Sequence, residues 1–469
     1  MTGVTLNSAT VMTGDLYAGL PGAKTHGARF SAMAVSAGAA AILTDGEGRE
    51  LAEGLGVPVL VCPDPRGVLG EVSALVYGYP ARRLRTFAVT GTNGKTTVTY
   101  LLAAALQALG VPTALIGTTG TWLGDRRLPT VRTTPEAPDV QALMAMMADE
   151  GIQALAMEVS SHALVLGRVD GIRFDVSSFT NLSPDHLDFH MSMDEYFAAK
   201  ADLFTGARTR RAVVNVDDQW GRRLAQSVAV PLVTYGFAED AEWRVGQVES
   251  DASGSKFDVI HGDGTASVRV GAPGAFNVAN ALGALVMLVQ SGYPMADAAR
   301  AIGSFRGVPG RMEVVRSPAD PPAPVVIVDY AHTPDAVERA LLAVRPLTQG
   351  KIWCVLGCGG DRDAVKRPAM GRISAERADQ VVVTDDNPRS EDPAGIRAAV
   401  MRGARGVPHA HVQEVDDRAR AIALAIQSAL PEDTVMILGK GHETGQEVDG
   451  IVHPFDDRIV AREALGARA

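Results

Sequence analysis

Short apolar runs alternate with alanine-rich helical stretches along the whole chain, and this alternation most constrains the fold. The runs predict buried strands; they are AAILTD, VPVLVC, RTFAVTG, RAVVNV, PVVIVDY, KIWCVLG, DQVVVTD and DTVMILG. Helical patterns such as TVTYLLAAALQALG and DAVERALLAVRPL lie between many of them. Because strand–helix alternation is typical of parallel sheets covered by helices, the sequence predicts an α/β fold.

The chain is too long for one ordinary hydrophobic core, because 469 residues exceed the usual size of a domain. A first α/β unit is predicted for residues 1–83 and a central unit for residues 84–312. A third unit, residues 313–469, begins close to the proline-rich linker SPADPPAP. Polar and apolar residues alternate between glycine turns in residues 240–272, which predicts antiparallel strands attached to the central unit.

Charge and composition exclude several classes of function. The net charge of −10 and the pI of about 5.5 argue against non-specific nucleic-acid binding and against an anionic membrane surface. Three cysteines cannot form a disulfide framework, which fits a reducing compartment. No signal peptide is visible, and the longest apolar run is too short to span a bilayer. We therefore expect a cytoplasmic protein.

The segment AVTGTNGKTT carries the strongest chemical signal. An apolar strand precedes its glycine-rich turn and a helix follows it, so backbone N–H groups and a helix N-terminus converge on one place. This arrangement predicts a phosphate site, with Lys95 as a point charge and Thr96 as a hydroxyl ligand of Mg²⁺. The pattern departs from the common phosphate loop because Val89 occupies the position of its first glycine. The alternative is a glycine-rich turn that carries a surface lysine.

Further residues are candidates for metal binding. Glu158 ends an apolar run, where a lone carboxylate is costly unless a cation is its partner. His186 and His190 would share one face if their segment were helical, a spacing that permits zinc. Beside a phosphate loop, oxygen ligands and Mg²⁺ are favoured, and His190 is as often a packed or capping histidine. From its helical pattern alone, Lys200 can equally be a solvated surface charge.

The loop TDDNPRSEDP, residues 384–393, places one arginine among four acids. Pro388 predicts a turn directly after the strand DQVVV, because proline fixes φ and disfavours helix before it. One interpretation is a solvated turn in which Arg389 makes a local ion pair. The other is a receptor for a small molecule that carries both a carboxylate and an amine.

Taken in order, the motifs resemble those of the Mur ligases, ATP-dependent enzymes that form the peptide bonds of peptidoglycan precursors. The matching segments span nearly the whole chain; they are TGTNGKTT, MEVSSHAL, TNLSPDHLDFH, YFAAKADLF, GAFNVANALGA, GVPGRME and DYAHTPDA. The resemblance implies an N-terminal α/β domain that binds a UDP-linked substrate and a central ATPase domain of the P-loop type with a parallel sheet. A C-terminal Rossmann-like domain would bind the amino acid and close over the site.

Within the family, GDLYAGLPGAKTHGARF, GCGGDRDAVKRPAMG, DDNPR and GKGHE are most similar to members that add a diamino acid to UDP-N-acetylmuramoyl-L-alanyl-D-glutamate. This implies an acyl-phosphate intermediate, with ATP and two Mg²⁺ ions as cofactors. Among the family members, an arginine after DNP marks those that use meso-diaminopimelate. Arg389 is therefore expected to bind the distal carboxylate of that amino acid. The alternatives are a lysine-adding ligase of the same family and, from another class, a nucleotide-driven switch or transport ATPase.

The resemblance also implies a set of site residues. Positions matching contacts to ATP are Gly91, Thr92, Asn93, Gly94, Lys95, Thr96, Thr97, Asn277, Arg311 and Asp329. Catalytic and Mg²⁺-site positions are Lys95, Thr96, Glu158, His186 and Lys200, the last as a carbamate. Positions for the UDP-linked dipeptide are Leu6, Ser8, His26, Gly27, Ala28, Thr133, Thr134, Ser160 and Arg168. The diaminopimelate pocket is assigned to Arg362, Asp386, Asn387, Pro388, Arg389, Gly439 and Glu443.

The chain departs from the family pattern in two places. Leu166 stands where many relatives carry a polar glutamine, so one hydrogen bond to the substrate is expected to be missing. The chain begins only a few residues before LNS, where relatives usually have a longer lead, so a truncated N-terminus is expected. The partners expected for such an enzyme are small molecules alone, without nucleic acid or membrane, and the protein is expected to be a monomer.

Overall fold

Three sheets, each with its own hydrophobic core, follow one another along the chain. This computed structural model describes residues 1–22, 24–128, 132–251, 254–262, 264–315, 323–408 and 410–467. All eight segments that the sequence predicts as strands form strands, and the α/β fold in three domains is confirmed. The domain boundaries near residues 83 and 312 stay predictions, and residues 316–322 of the proline-rich region lie outside the described residues.

The N-terminal domain is a small sheet of four parallel strands in the order β1-β2-β3-β4. The strands are β1 Val4–Thr5, β2 Leu16–Ala18, β3 Ala41–Thr44 and β4 Val59–Val61. The helices are α1 Ser31–Ser36, α2 Gly46–Leu51 and α3 Pro65–Val76. Aspartates begin two of these helices, because Asp45 and Asp64 accept hydrogen bonds from the first-turn N–H groups of α2 and α3.

The central domain holds an eleven-stranded sheet in the order β15-β14-β13-β12-β11-β10-β5-β9-β6-β7-β8. The strands are β5 Arg85–Thr90, β6 Thr113–Gly117, β7 Gly120–Leu123, β8 Arg126–Leu128, β9 Ala154–Glu158, β10 Val176–Phe179, β11 Ala212–Asn215, β12 Leu232–Gly236, β13 Trp243–Asp251, β14 Gly254–His261 and β15 Gly264–Val270. The helices are α4 Lys95–Ala108, α5 Ala137–Asp149, α6 Ser161–Val165, α7 Met193–Ala201, α8 Gln219–Ser227, α9 Ala275–Gln290 and α10 Met295–Ile302. The antiparallel strands predicted for residues 240–272 are confirmed as β13–β15.

Strand β5 lies in the parallel middle of this sheet, between β9 and β10. Its side chains alternate between the two faces, so Phe87 and Val89 enter the core under α4 and α9 while Ala88 enters the opposite core. Burial on both faces explains why the strand is a continuous apolar run. The loop after Thr90 therefore emerges at the carboxyl edge of the sheet, where ligands of open α/β sheets bind.

The C-terminal domain is a six-stranded sheet in the order β16-β17-β21-β18-β19-β20, parallel except for β16. The strands are β16 Glu313–Val315, β17 Val325–Asp329, β18 Ile352–Leu356, β19 Gln380–Val383, β20 His411–Glu414 and β21 Thr434–Leu438, followed by a hairpin of β22 Gly445–Val448 and β23 Ile451–Pro454. The helices are α11 Pro334–Val344, α12 Lys366–Arg377, α13 Pro393–Ala404, α14 Arg418–Ser428 and α15 Asp457–Gly466. Helices pack on both faces, as in doubly wound folds.

Two glycines bring the end of the central domain against the turn that follows β21 in the C-terminal domain. A Cβ built on Gly310 would lie 2.0 Å from the backbone nitrogen of His442, and one on Gly441 would lie 2.6 Å from the Cβ of Tyr330. Both glycines have positive φ, 65° and 53°, so a side chain at either position meets strain as well as a clash.

Among the described helices, none combines the length and hydropathy needed to cross a membrane.

Candidate active site

The glycine-rich turn between β5 and α4 is shaped by close approaches that only glycine allows. Gly91 has a φ of 145°, and a Cβ there would lie 1.9 Å from Thr180 Oγ1. Gly94 has a φ of 88°, and a Cβ there would lie 2.4 Å from Asn280 Oδ1. Since α4 begins at Lys95, the free N–H groups of its first turn lie at this loop and form an anion site.

Lys95 lies over the loop rather than in solvent. Its Nζ donates to the main-chain carbonyls of Gly91 and Thr92, at 2.9 Å each. Burial lowers the pKa of Lys95, although the carboxylate of Glu158 opposes that shift. The interpretation as a surface lysine on an ordinary turn is wrong for this structure.

Lys200 is fully enclosed on α7, with 1% of its surface exposed. Its Nζ donates to the Gly91 carbonyl at 2.9 Å and lies 4.6 Å from the centre of the Tyr196 ring. Burial, and next the charge of Lys95, hold the pKa of Lys200 well below its usual value. The interpretation of Lys200 as a solvated surface charge is therefore wrong.

Glu158 ends β9 with no exposed surface. Its two carboxylate oxygens accept from the backbone N–H and the hydroxyl of Thr118, at 2.9 and 3.0 Å. Within the described ranges no ion pair joins Glu158 to a basic side chain. A buried carboxylate held only by neutral donors is suited to a cation brought by a ligand or a metal.

His186 and His190 do not share a helix face, because residues 181–190 form turns and irregular backbone rather than a helix. His186 has a φ of 54°, and burial lowers its pKa to about 4. His190 is buried, and its Nε2 lies 2.9 Å from Ser161 Oγ, which fits the alternative of a packed histidine. The structure therefore does not provide the helical face on which the zinc alternative depended.

One cavity of about 370 Å³ joins the glycine-rich turn to the C-terminal domain. Predicted site residues that line it are Thr92, Asn93, Gly94, Lys95, Thr96, Thr97, Thr133, Glu158, Ser160, His186, Asn277, Arg311 and Asp329. Arg311 bridges the two domains, since its Nη2 donates to Thr96 Oγ1 at 3.3 Å and its Cζ lies 4.3 Å from the centre of the Tyr330 ring. Asp329 accepts from the N–H groups of Met312 and Ala331, while burial raises its pKa.

Asp335 was missed by the sequence analysis although it belongs to the quoted segment DYAHTPDA. It lies in the first turn of α11, and its Oδ2 accepts from Asn93 Nδ2 at 3.0 Å and from Ser183 Oγ at 3.2 Å. The C-terminal domain thus contacts the phosphate loop directly. An acidic residue in the first turn of a helix is common, because it interacts favourably with the helix dipole. The sequence therefore gave no sign that Asp335 also contacts the central domain.

The residues predicted for the UDP-linked substrate fall into two groups, and the N-terminal group surrounds a 3₁₀ turn, Gly27–Phe30. His26 Nδ1 accepts from the Ala28 N–H at 3.1 Å, and its Nε2 lies 3.1 Å from Asp45 Oδ1. The carbonyl of Gly27 accepts from the Tyr17 hydroxyl at 2.7 Å. Ser8 begins another 3₁₀ turn and is buried, and Leu6 packs on the core of the domain.

The second group lies in the central domain beside Glu158. Thr134 Oγ1 donates to the Glu158 carbonyl at 2.9 Å, and Thr133 Oγ1 lies 3.2 Å from Thr118 Oγ1. Ser160 caps α6. Arg168 Nε donates to Glu136 Oε1 at 3.0 Å, and Glu136 also pairs with Arg66 of the N-terminal domain.

Arg389 has partners outside its own loop. Its Nη1 donates to the Gly360 carbonyl at 2.7 Å, its Nε lies 3.3 Å from Glu447 Oε2, and the side chain is 21% exposed. The acids of the loop are occupied elsewhere: Asp385 with Arg397, Glu391 with Arg367, and Asp392 as the cap of α13. The interpretation of a local ion pair within the loop is wrong.

The other residues predicted for the amino-acid pocket lie around this loop. Arg362 is exposed, and a Cβ built on Gly359 would lie 3.0 Å from Arg389 Nη1 and 3.9 Å from Arg362 Cγ. Asn387 Nδ2 donates to Glu443 Oε2 at 2.7 Å. Asp386 and Pro388 are buried, and Gly439, with a φ of 116°, passes close to Asp386. Lys440, between Gly439 and Glu443 in GKGHE, touches this group and was missed because the sequence shows no burial.

Comparison with known proteins identifies the class to which this fold and site belong. Residues 1–77 match the profile of the Mur ligase family, catalytic domain, residues 89–288 the Mur ligase middle domain, and residues 310–441 the Mur ligase glutamate ligase domain. The chain belongs to the Mur ligase family and is an ATP-dependent ligase that forms amide bonds. Membership removes the alternative of a nucleotide-driven switch or transport ATPase.

Individual relatives match along nearly the full chain. The UDP-N-acetylmuramoyl-L-alanyl-D-glutamate–2,6-diaminopimelate ligase of Streptomyces coelicolor is 51% identical, over 99% of this chain and 92% of the relative. The UDP-N-acetylmuramyl-tripeptide synthetase of Leifsonia xyli is 45% identical, over 99% and 91%. A solved structure of a UDP-N-acetylmuramoyl-L-alanyl-D-glutamate–2,6-diaminopimelate ligase has a TM-score of 0.70 at 33% identity, over 100% of this chain and 95% of that one. A Mycobacterium tuberculosis folylpolyglutamate synthase shares the fold, with a TM-score of 0.64 at 18% identity, over 80% and 92%.

Proposed function

We propose that the protein adds meso-diaminopimelate to the D-glutamyl carboxylate of UDP-N-acetylmuramoyl-L-alanyl-D-glutamate, in the synthesis of peptidoglycan precursors. The names of the full-length relatives support this substrate pair. The observation that carries it is the loop with Asn387 and Arg389, where Asn387 donates to Glu443 Oε2 at 2.7 Å, outside the cavity beside the glycine-rich turn. Tyr330 lines that cavity, and its ring lies 5.2 Å from the ring of His442, the neighbour of Glu443.

ATP is proposed to bind with its phosphates on the glycine-rich turn. Lys95 would leave the carbonyls it now contacts and neutralise charge on the phosphoryl group during transfer, a positioning and electrostatic task. Asn277, Arg311 and Asp329, which line the same cavity, would contact the nucleotide. The dipeptide carboxylate would attack the γ-phosphorus of ATP and release ADP, and the incoming neutral amine would then displace phosphate from the acyl phosphate and lose one proton. Enclosure between the domains protects that intermediate from water.

Glu158 suits Mg²⁺, because it is a buried carboxylate that, among the described residues, accepts only from Thr118, and Thr96 and His186 line the same cavity. We assign Thr96, Glu158 and His186 to the metal sites, with two ions expected. Bound Mg²⁺ supplies charge neutralisation on the phosphate oxygens.

Lys200 is proposed to join the metal site as a carbamate. Only a neutral amine reacts with CO₂, and the lowered pKa of Lys200 favours that form. Carbamylation exchanges a buried cation for an oxygen ligand, and this would relieve the repulsion between Lys200 and Lys95.

The UDP-linked dipeptide is proposed to extend from the N-terminal domain to the phosphate loop. Residues assigned to it are Leu6, Ser8, His26, Gly27, Ala28, Thr133, Thr134, Ser160 and Arg168. Arg168 and Arg66 share Glu136, so one carboxylate joins the two domains at this place. Leu166 would offer the substrate no side-chain hydrogen bond, and its carbonyl instead accepts weakly from Arg66 Nη1 at 3.5 Å.

Selection of meso-diaminopimelate over lysine is assigned to Arg389. The two amino acids differ mainly by the distal carboxylate, which a guanidinium can hold through two parallel hydrogen bonds. Arg362, Asp386, Asn387, Pro388, Gly439 and Glu443 complete the pocket. The substrate carboxylate would replace Glu447 as the ionic partner of Arg389. We further propose a monomeric cytoplasmic enzyme with domains at residues 1–83, 84–312 and 313–469.

The proposal is tested by measuring ADP release from ATP and UDP-N-acetylmuramoyl-L-alanyl-D-glutamate in the presence of single amino acids. We expect release to depend on both substrates and to be faster with meso-diaminopimelate than with lysine. Incorporation of lysine but not of diaminopimelate would support the lysine-adding alternative instead. Rapid ATP hydrolysis without any amino acid would contradict the ligase mechanism.

Replacing Arg389 tests the basis of specificity. Arg389→Ala should weaken use of meso-diaminopimelate by about tenfold to a hundredfold, since it removes a charge-assisted bidentate contact. ATP binding should stay within about threefold of the unchanged protein, because Arg389 does not line the ATP cavity. An equal loss with lysine and diaminopimelate would assign Arg389 a structural role only.

A further inference from the structure

Lys440 is a charged side chain with no exposed surface, directly behind the pocket assigned to the amino acid. Its ammonium donates to Asn387 Oδ1 at 3.0 Å and to the Gly445 carbonyl at 2.6 Å, and it lies 3.4 Å from Glu443 Oε2. Asp386 Oδ1 is 3.8 Å away. A lysine is rarely fully buried unless it is paired, so these contacts together must offset its desolvation.

The ammonium fixes which way the Asn387 amide points. Asn387 Oδ1 accepts from both Lys440 Nζ and the Glu447 N–H, at 3.0 Å each. The amide nitrogen is thereby turned toward Glu443, to which it donates at 2.7 Å. Two donors on one oxygen exclude the flipped amide, because that orientation would set N–H groups against each other. Glu443 is held by one oxygen while its side chain stays 31% exposed, open to an incoming ligand.

Lys440 also holds the hairpin that supports Arg389. The carbonyl that accepts from Lys440 belongs to Gly445, which is the first residue of β22. Farther along that hairpin, the Arg389 N–H donates to the Glu447 carbonyl at 3.0 Å and the Asp449 N–H donates to the Arg389 carbonyl at 2.7 Å. These bonds maintain Arg389 at a φ of 54°, a conformation that an arginine seldom adopts.

We propose that Lys440 is a positioning residue for amino-acid selection, an inference that rests on the proposed function. By bonding Asn387, Glu443 and the start of the hairpin at once, its ammonium sets the spacing between the groups that meet the amino acid and the guanidinium of Arg389. That spacing, more than the charge of Arg389 alone, determines whether a distal carboxylate strengthens binding of the amino acid. Discrimination between a diamino acid with that carboxylate and one without it therefore depends on a residue that the pocket hides.

The test replaces Lys440 with methionine, which keeps a linear side chain and removes the charge. We expect Lys440→Met to raise the KM for meso-diaminopimelate by about tenfold to a hundredfold, the range expected for losing a charged hydrogen bond. The preference for diaminopimelate over lysine should fall by about tenfold or more, while the KM for ATP changes by less than about threefold. Lys440→Gln, which retains an amide donor, should fold readily and show the same change of preference to a smaller degree.

Asp433→Asn is the matched control, because Asp433 is buried at the opposite end of β21 and bonds the Lys351 N–H and the Trp353 indole. It should lower the melting temperature of the protein without changing the preference between the two amino acids. If both Lys440 variants keep the original preference, or lose it only as far as Asp433→Asn does, the proposal is wrong. If the unchanged protein shows no dependence on diaminopimelate, the proposed function fails instead, and the two failures are thereby distinguished.

Discussion

Two lysines, the half-buried Lys95 and the buried Lys200, share one acceptor at the centre of the candidate site. Lys95 and Lys200 both donate to the Gly91 carbonyl at 2.9 Å, although like charges this close repel each other. The repulsion and the burial act in the same direction and lower the pKa of Lys200. A site that brings two lysine amines to one oxygen is suited to an anion, and converting one amine to a carbamate would remove the repulsion between them.

Removal of Lys200 should expose its chemical role. Lys200→Ala is expected to lower turnover by about a hundredfold, as for the loss of one group that stabilises transferred charge. Formate or acetate should restore part of the activity, because a small carboxylate can occupy the space and supply oxygen ligands. Lys200→Arg, which keeps a cation, should be equally inactive and show no such rescue. Rescue of both variants, or of neither, in assays of ADP release would contradict the carbamate.

His442 predicts a pH dependence of stability. Burial, reinforced by the charge of Arg311, lowers the pKa of His442 to about 4 in the folded protein, whereas the unfolded chain titrates near the ordinary value of 6.5. Between these pH values the unfolded state binds more protons, so stability is lost as pH falls from 6.5 toward 4. His442→Asn should therefore show a shallower fall of melting temperature over this window, by about 2–4 °C. His453→Asn, on the exposed edge of β23, is the control; equal slopes for the two variants would contradict the assignment.

At the scale of single elements, the turn between β5 and α4 depends on glycine at defined places. Gly91 meets Thr180, and its φ of 145° lies outside the range that other residues adopt readily. Gly110, after the same helix, also has a positive φ, 78°, but a Cβ there meets nothing within 4 Å. Comparing substitutions at the two glycines separates the effect of backbone strain, which both would show, from the clash with Thr180, which only Gly91 would show.

We expect Gly91→Ala to weaken ATP binding by at least about tenfold, because the added methyl pushes the loop off Thr180 and displaces its N–H groups. Gly110→Ala should lose some stability from its backbone strain alone and bind ATP as before. Calorimetric titration with a non-hydrolysable ATP analogue measures both. Equal affinities in the two variants would show that the loop tolerates the shift.

Patterns along the chain predict the elements well because each signal is local. The strands β5, β17 and β19 are apolar on both faces, and α4 follows a glycine turn. The hydrophobic pattern and the turn residues are therefore enough to predict these elements. The partners of Arg389 could not be predicted, because Glu447 and Gly360 are distant in sequence and meet it only through the fold. The burial of Lys440 could not be predicted for the same reason. The condition for a shared histidine face was not met, because residues 181–190 after β10 form turns and irregular backbone rather than a helix.

At the scale of the whole molecule, contacts between domains converge on the phosphate loop. Asp335 of the C-terminal domain accepts from Asn93 and Ser183 of the central domain, and Arg311, which donates to Thr96, also contacts the ring of Tyr330 in the C-terminal domain. The N-terminal domain is joined at the other end through Arg66 and Glu136. A movement of the C-terminal domain would therefore change the contacts of the glycine-rich turn, which suits the proposed enzyme, since it must protect an acyl phosphate.

Asp335→Ala should impair closure of the C-terminal domain. Losing the bonds to Asn93 and Ser183 is expected to lower kcat/KM for ATP about threefold to tenfold, the range for one or two ordinary hydrogen bonds. Glu338→Ala is the control on the same helix, because Glu338 pairs with Arg377 inside the C-terminal domain. Small-angle scattering with and without nucleotide measures closure. An identical response of the two variants would show that the Asp335 contacts do not contribute.

The contact between Gly310 and Gly441 has a consequence for inhibition. The backbone at Gly310 leads from the ATP site into the C-terminal domain, while Gly441 belongs to the turn that carries Glu443. Since the two backbones touch, a compound wedged between them would displace both sites at once. Such a compound would resemble neither ATP nor an amino acid, and raising the concentration of either substrate alone would not overcome it.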